Sequence, residues 1–370
     1  MSDLKRYLVP WMDEVKPYRT DDLLLAWSKP DLKRMMVNEN PVPPSERIVQ
    51  AVTEAAKMGH RYPDNGPRIR AKIAKRYDLD PENVYIGHGS SEMIDLIMRL
   101  FVTPGDEVVL PNPTFSLYGI RARAVGGKVV AVDMTSDLQY DTPAMLRAIT
   151  PRTKVIIICT PNNPTGDFIP DDDLMKIVEL GIPTFIDEAY LEYHPEHESK
   201  AHLIRKYNHI MVAHTFSKAY GMAGIRVGYV LADEELIRYF RRIQIPWNIS
   251  LLSLAAAEAA LEEEDELKRK AAYNNAGVEY VCKELSKIPG VKPYYSHGNY
   301  VLIDATDAGV TGKAVVDYVL KRDGVILKHF APLRGREGFF RVSIGTHEEN
   351  SLCVQSIKRF FANRNKEEKK

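Results

Sequence analysis

Residues 154–190 read KVIIICTPNNPTGDFIPDDDLMKIVELGIPTFIDEAY: an apolar run, a turn, a helix-length stretch and a second apolar run. KVIIICT is strand-length and rich in β-branched residues, which predicts a buried strand. The cluster PNNPTG (161–166) has turn composition. A helix near 171–180 and the strand PTFIDEAY (183–190) complete a strand–helix–strand unit. Such units predict an α/β fold with a mainly parallel sheet between helices.

Working outward, the alternation continues on both sides. Upstream come helices over 46–59 and near 68–77, the strand NVYIGHG, and the helix SSEMIDLIMRLF with Met93, Ile97, Leu100 and Phe101 at helical spacing. The strand DEVVLP, the helix FSLYGIRARAVG, the strand KVVAVDM and a helix near 142–149 follow. Downstream, HIMVAHTFS and IRVGYVLA are strands, and 233–285 is strongly helical. After Pro289 the pattern changes to NYVLIDA, a helix over 312–322, GVILKHF, FFRVSIGT and a closing helix from 347, which predicts a smaller α+β domain. The first residues carry Trp11, Tyr18 and Trp27 without periodicity and read as an arm that docks on something, a partner subunit being one candidate. The resulting division is an arm (1–35), a large domain (46–249) and a small domain (36–45 and 250–370), with NRNKEEKK as a frayed tail.

The 370 residues, 45% hydrophobic and 27% charged, have the balance of a folded protein of about two domains. Fifty basic and fifty acidic residues cancel, which argues against a general nucleic-acid binder. Cys159, Cys282 and Cys353 form no CxxC pair, and the histidines show no ligand spacing, so neither a disulfide framework nor a metal site is expected. No apolar run approaches membrane-span length and no signal-type segment is seen, so a soluble cytoplasmic protein is expected.

Ligands of open α/β sheets bind outside the carboxyl ends of the strands. After NVYIGHG, Gly89-Ser90-Ser91 opens a helix, where free N–H groups and positive potential suit a phosphate; the same residues would equally make an ordinary cap. After PTFI comes Asp187-Glu188-Ala189-Tyr190, an acid able to pair with a cationic nitrogen or to cap a loop. After HIMVAH come Thr215, Ser217 and Lys218, then two glycines and Arg226. A lysine framed by hydroxyls beside an arginine suits covalent catalysis next to an anion site.

Together, NNPTG, DEAY and SKAYGMAGIRVGY resemble the fold type I pyridoxal-phosphate enzymes, specifically the class I/II aminotransferases, over nearly the whole chain. The resemblance implies pyridoxal 5'-phosphate as cofactor, with Lys218 bonded to it and moving the proton between the substrate Cα and the cofactor's C4′. Asp187 would pair with the pyridinium nitrogen, and Asn163 and Tyr190 with the phenolic oxygen. Gly89, Ser90, Ser91, Ser217, Arg226 and Thr215 would surround the phosphate. Phe115 would stack on the ring, and Tyr62 would reach the neighbouring site of a homodimer. Arg341, costly in an apolar strand unless paired with an anion, would clamp a substrate carboxylate; an internal salt bridge is the alternative.

KPY (16–18), NENP (38–41), RYPD (61–64), HGNYVLI (297–303) and GVILKHF…FFRVSIGT are most similar to the histidinol-phosphate aminotransferase subfamily. That implies transfer of the amino group of L-histidinol phosphate to 2-oxoglutarate, with Tyr18, Asn38 and Lys328 on the substrate side. Lys328 stands where the subfamily commonly has an arginine that holds the substrate phosphate. Aromatic or broad-specificity amino-acid aminotransferases, and a threonine-phosphate decarboxylase-like lyase, share the same cofactor set.

Overall fold

The structure, a computed structural model, describes residues 4–367. The last three residues of the charged tail lie outside this range, and the helix His347–Glu367 takes up the rest. Seven strands form one sheet in the order Val84–Gly87, Gly228–Ala232, Ile210–Thr215, Thr184–Asp187, Thr153–Cys159, Glu107–Asn112, Lys128–Asp133. Gly228–Ala232 runs antiparallel to both neighbours, and the other strands are parallel. Successive side chains of a strand face opposite sides of the sheet. Ile156, Ile158, Ile186 and Val212 therefore enter one core, and Val155, Ile157, Phe185 and Met211 the other.

Helices cover both faces. Ser90–Phe101 buries Met93, Ile94, Ile97 and Met98. Glu46–Ala56 is capped by Ser45, whose hydroxyl accepts from the Ile48 N–H, and it packs on Leu251–Ala260. The buried Leu254, Ala256 and Ala257 of Leu251–Ala260 lie in the same apolar cluster as Ile48, Ile69 and the large sheet. A division drawn after residue 249 cuts through this packing, because an alanine-rich helix carries no sign of which sheet it will cover.

A second sheet is antiparallel throughout, in the order Lys328–His329, Phe339–Ser343, Tyr300–Asp304, Lys292–Tyr294. Its core joins Val301, Ile303, Phe340 and Val342 to Val278, Val281, Val315 and Ile357 of the flanking helices. GVILKHF is not one strand. Val325–Ile326 pairs in parallel with Lys33–Arg34, and only Lys328–His329 joins the second sheet. Lys292–Tyr294 carries a mid-strand proline, tolerated because the strand lies at an edge.

The N-terminal arm is docked in two places. The Trp11 indole N–H donates to the Ala124 carbonyl at 3.1 Å. Asp21–Ser28 is a helix whose Ala26 is buried with Met36 and Ile326, flanked by Leu23 and Leu25.

The two sheets meet at the turn 161–166. The Tyr300 hydroxyl donates to the Asn162 carbonyl at 2.7 Å, and the His297 N–H to the Gly166 carbonyl at 2.8 Å. Gly166 has φ +90°, and a Cβ there would lie 2.5 Å from the Ser296 Cβ. Gly166→Ala therefore combines backbone strain with a clash at this joint. A loss of at least ~1–3 kcal/mol is expected in urea denaturation; an unchanged midpoint would show that the joint yields freely.

Beneath the sheet edge, His214 is fully buried between Glu188 (3.2 Å) and Glu192 (3.0 Å), its ring stacked on Tyr229 at 5.0 Å. Burial pulls its pKa down, but the hydrogen bonds and charges of the two glutamates outweigh that and push it up to about 9. An unfolded histidine titrates near 6.5. The folded state thus holds the proton more tightly, and the stability this cluster contributes is complete below about pH 6.5 and lost as pH rises through about 9. The melting temperature of the protein should fall across that window, with a flatter profile for His214→Gln. The same slope in both proteins would trace the effect to other groups.

Candidate active site

Cys159, Asp187 and Ala213 are aligned across three parallel strands, so the segments that follow them emerge side by side. The antiparallel strand Gly228–Ala232 begins where its neighbours end: Gly228 pairs with both Thr215 and Gly87. Arg226, before that strand, is thereby brought to the same edge as Gly89 and Ser217, which follow theirs.

At this edge Gly89, with φ +74°, caps the helix Ser90–Phe101, and any side chain at Gly89 would collide with the Arg226 guanidinium. Arg226 itself has φ +63°, a left-handed conformation uncommon for a long side chain. Its Nη1 donates to Ser217 Oγ at 3.3 Å and to the Ala223 carbonyl at 2.9 Å. Thr215 Oγ1 in turn donates to Ser217 Oγ at 3.0 Å. Burial holds the Arg226 pKa below its ordinary value, as expected of a cation in want of an anion. Free helix N–H groups, hydroxyls and a guanidinium make a donor set that fits a phosphate monoester.

Asp187 is buried and accepts from the Tyr118 hydroxyl at 2.7 Å and the Ala189 N–H at 3.1 Å. Burial raises its pKa, and these two donors only partly offset that. A cationic ring nitrogen fits this environment, because it would favour the charged carboxylate. Asn163 Nδ2 donates to the Tyr190 hydroxyl at 3.2 Å, and Asn38 Nδ2 donates to the same oxygen at 3.0 Å. Asn38 is buried in a left-handed turn (φ +57°) and exchanges hydrogen bonds with Ser343.

Lys218 Nζ donates to the carbonyls of Asn38 (3.1 Å) and Val37 (3.4 Å) and lies 5.8 Å from the Tyr190 ring centre. Burial, together with the repulsion of Arg341 and Arg226, outweighs the pull of Glu39 and Asp187 and lowers its pKa to about 8. Much of the amine is thus free of its proton only slightly above neutrality, which nucleophilic and proton-transfer chemistry requires.

Arg341 is 8% exposed and forms no ion pair among the described residues. Its Nη1 donates to Asn163 Oδ1 at 2.6 Å and its Nη2 to the Met36 carbonyl at 2.7 Å, while Nε is buried without a partner. Phe115 stands edge-on to Tyr118 at 5.5 Å and to Tyr18 at 6.2 Å, which places Tyr18 at the mouth of the same site. Lys328 lies directly across from Arg341 on the neighbouring strand and is ion-paired with Asp22 at 3.3 Å. Tyr62 is 74% exposed and stacks on Trp247, apart from the others.

The structure therefore gathers every candidate except Tyr62. It adds Tyr118, Ser343 and Asp22, none of which the sequence reading singled out. Tyr118 follows Phe115 by one helical turn, and a phenol on the buried face of that helix was the available signal. Among the described residues no cluster of three or more His, Cys, Asp or Glu side chains could hold a metal, and no helix is long and apolar enough to cross a membrane.

Residues 31–357 match the family model for aminotransferase class I and II. Histidinol-phosphate aminotransferase from Methanosarcina mazei is 36% identical over 324 residues, 86% of each chain. The enzyme of that name from Caldanaerobacter subterraneus subsp. tengcongensis is 32% identical, covering 89% of this chain and 93% of its own. In fold, the chain resembles histidinol-phosphate aminotransferase from Sinorhizobium meliloti, solved with pyridoxal-5'-phosphate, at a TM-score of 0.88, 24% identity and coverage of 96% and 98%. L-threonine-O-3-phosphate decarboxylase from Porphyromonas gingivalis shares the fold at a TM-score of 0.78 with 18% identity, over 90% of this chain and all of its own. With a match spanning most of its length, and relatives above 30% identity along nearly all of it, the chain belongs to the aminotransferase class I and II family.

Proposed function

We propose that this protein is a pyridoxal-phosphate-dependent aminotransferase that moves the amino group of L-histidinol phosphate to 2-oxoglutarate, giving imidazole-acetol phosphate and L-glutamate. The observation that carries the transferase reading is Arg341, a buried guanidinium with no acidic partner among the described residues, beside a lysine of lowered pKa. A site that must accept the α-carboxylate of glutamate needs such a clamp. The choice of histidinol phosphate rests on the relatives of that name, which the chain matches along most of its length.

Bound at this edge, pyridoxal phosphate would supply an electron-withdrawing ring, an electron sink for the loss of the proton from the amino-bearing carbon of the substrate. Gly89, Ser90, Ser91, Ser217 and Arg226 would hold its phosphate, with Thr215 orienting Ser217. Asp187 would keep the ring nitrogen protonated, with Tyr118 orienting Asp187. Asn163 and Tyr190 would hydrogen-bond the phenolic oxygen, and Phe115 would pack against the ring. Lys218, held at rest by the carbonyls of Val37 and Asn38, would hold the cofactor through its amine and, when that amine is free, would carry the proton between the substrate Cα and the cofactor's C4′. Arg341 orients carboxylate substrates through two parallel N–H donors. Tyr18 and Asn38 border the substrate. Tyr62, exposed and away from its own site, would serve the site of a second copy, so the working form is a homodimer.

Absorption of the bound cofactor, titrated separately with histidinol phosphate, glutamate and phenylalanine, tests the substrate. Conversion at much lower concentration by histidinol phosphate is expected; preference for phenylalanine would move the protein to the aromatic aminotransferases. Lys218→Ala should lower turnover by at least ~10³-fold. Arg341→Lys should weaken glutamate more than histidinol phosphate, whose phosphate ester stands in place of the carboxylate and is shared with Lys328. Equal losses for the two substrates would contradict that division of labour.

A further inference from the structure

Lys328 and Arg341 are directly opposed on antiparallel strands, so both side chains leave the same face of the sheet. Arg341 is buried, and Lys328 lies nearer solvent, about a third exposed. Lys328 therefore stands beside Arg341 on its solvent side, where an anionic group of the substrate would come within its reach. The Lys328 ammonium is not free: Asp22 Oδ2 lies 3.3 Å from it.

The backbone that carries Asp22 is held in place, while its carboxylate stays partly exposed. Asp22 occupies the first turn of the helix Asp21–Ser28, where the helix dipole favours a carboxylate. That helix is seated by Ala26 against Met36 and Ile326, with Leu23, Leu25 and Leu320 packed around them. Ile326 is only two residues from Lys328, so one apolar cluster sets the positions of both members of the ion pair.

We propose that Asp22 is a specificity-determining residue, an internal counter-ion that competes for Lys328 with the phosphate or side-chain carboxylate of the substrate. This inference rests on the aminotransferase reading above. A lysine ammonium has three donors, so it can hold Asp22 and an incoming phosphate or carboxylate together. The newcomer then meets the negative charge of Asp22 as well as the positive charge of Lys328. A neutral group in its place meets no such opposition. Asp22 thereby narrows the advantage that Lys328 alone would give to phosphorylated or dicarboxylic substrates, and eases release of products that keep the anionic group.

The test compares substrates with and without that anionic group, histidinol phosphate with histidinol and glutamate with glutamine, using the loaded enzyme at low salt. Asp22→Asn should raise the kcat/KM ratio of the charged to the neutral member about two- to fivefold, the range expected for a solvent-accessible ion pair. The gain should shrink as salt is added. Lys328→Met should lower the ratio, and adding Asp22→Asn to it should have no further effect. Calorimetric binding of inorganic phosphate to the same loaded enzymes gives a readout independent of turnover. Binding should tighten in Asp22→Asn and not in the double variant. Unchanged ratios in both pairs, or ratios that fall because Asp22 instead holds Lys328 in place, would overturn the proposal. If neither histidinol phosphate nor histidinol reacts, the substrate reading falls, and the glutamate and glutamine pair still decides the role of Asp22.

Discussion

A guanidinium buried inside an apolar strand must be satisfied from somewhere, and Arg341 is satisfied by groups from three parts of the chain. Its own strand belongs to the second sheet, Asn163 comes from the turn at the edge of the first, and the Met36 carbonyl comes from the segment after the arm. No carboxylate among the described residues neutralises it. Replacing that guanidinium by an apolar group would leave Asn163 Oδ1 and the Met36 carbonyl without their donor. The charge thus holds the two sheets in register while remaining available to an anion from outside.

The chemistry at the large sheet follows from strand direction. Parallel strands deliver the segments after Cys159, Asp187 and Thr215 to one edge, and the single antiparallel strand delivers the segment before Gly228 to the same place. Without that reversal Arg226 would lie at the opposite end of the sheet from Gly89. Beneath this edge the Glu188–His214–Glu192 cluster fixes the residue next to Asp187.

Much of this was legible beforehand. Strongly patterned segments such as KVIIICT and SSEMIDLIMRLF declare their structure because burial on one or both faces selects composition directly. NNPTG, DEAY and SKAYGMAGIR declare the site because each follows or precedes a strand. What escaped depended on partners distant in sequence. GVILKHF reads as one strand, but its halves pair with different sheets, a choice made by Lys33–Arg34 some 290 positions away. Asp22 lies in a short helix without a strong apolar pattern, so nothing local links it to Lys328, 306 residues further on. The alanine-rich helix Leu251–Ala260 has small side chains on most sides, and only contact with Glu46–Ala56 decides where it belongs.

The resting partners of Lys218 are the carbonyls of Val37 and Asn38, and Asn38 is itself tied to Ser343 and Asn299 of the second sheet. The reactive amine is anchored to the first sheet through its backbone and to the second through its nitrogen. Arg341, on the second sheet, is also one of the charges that lower the basicity of this amine. The spacing of the two sheets would therefore help set how readily the lysine gives up its proton, through residues that are not its chemical partners.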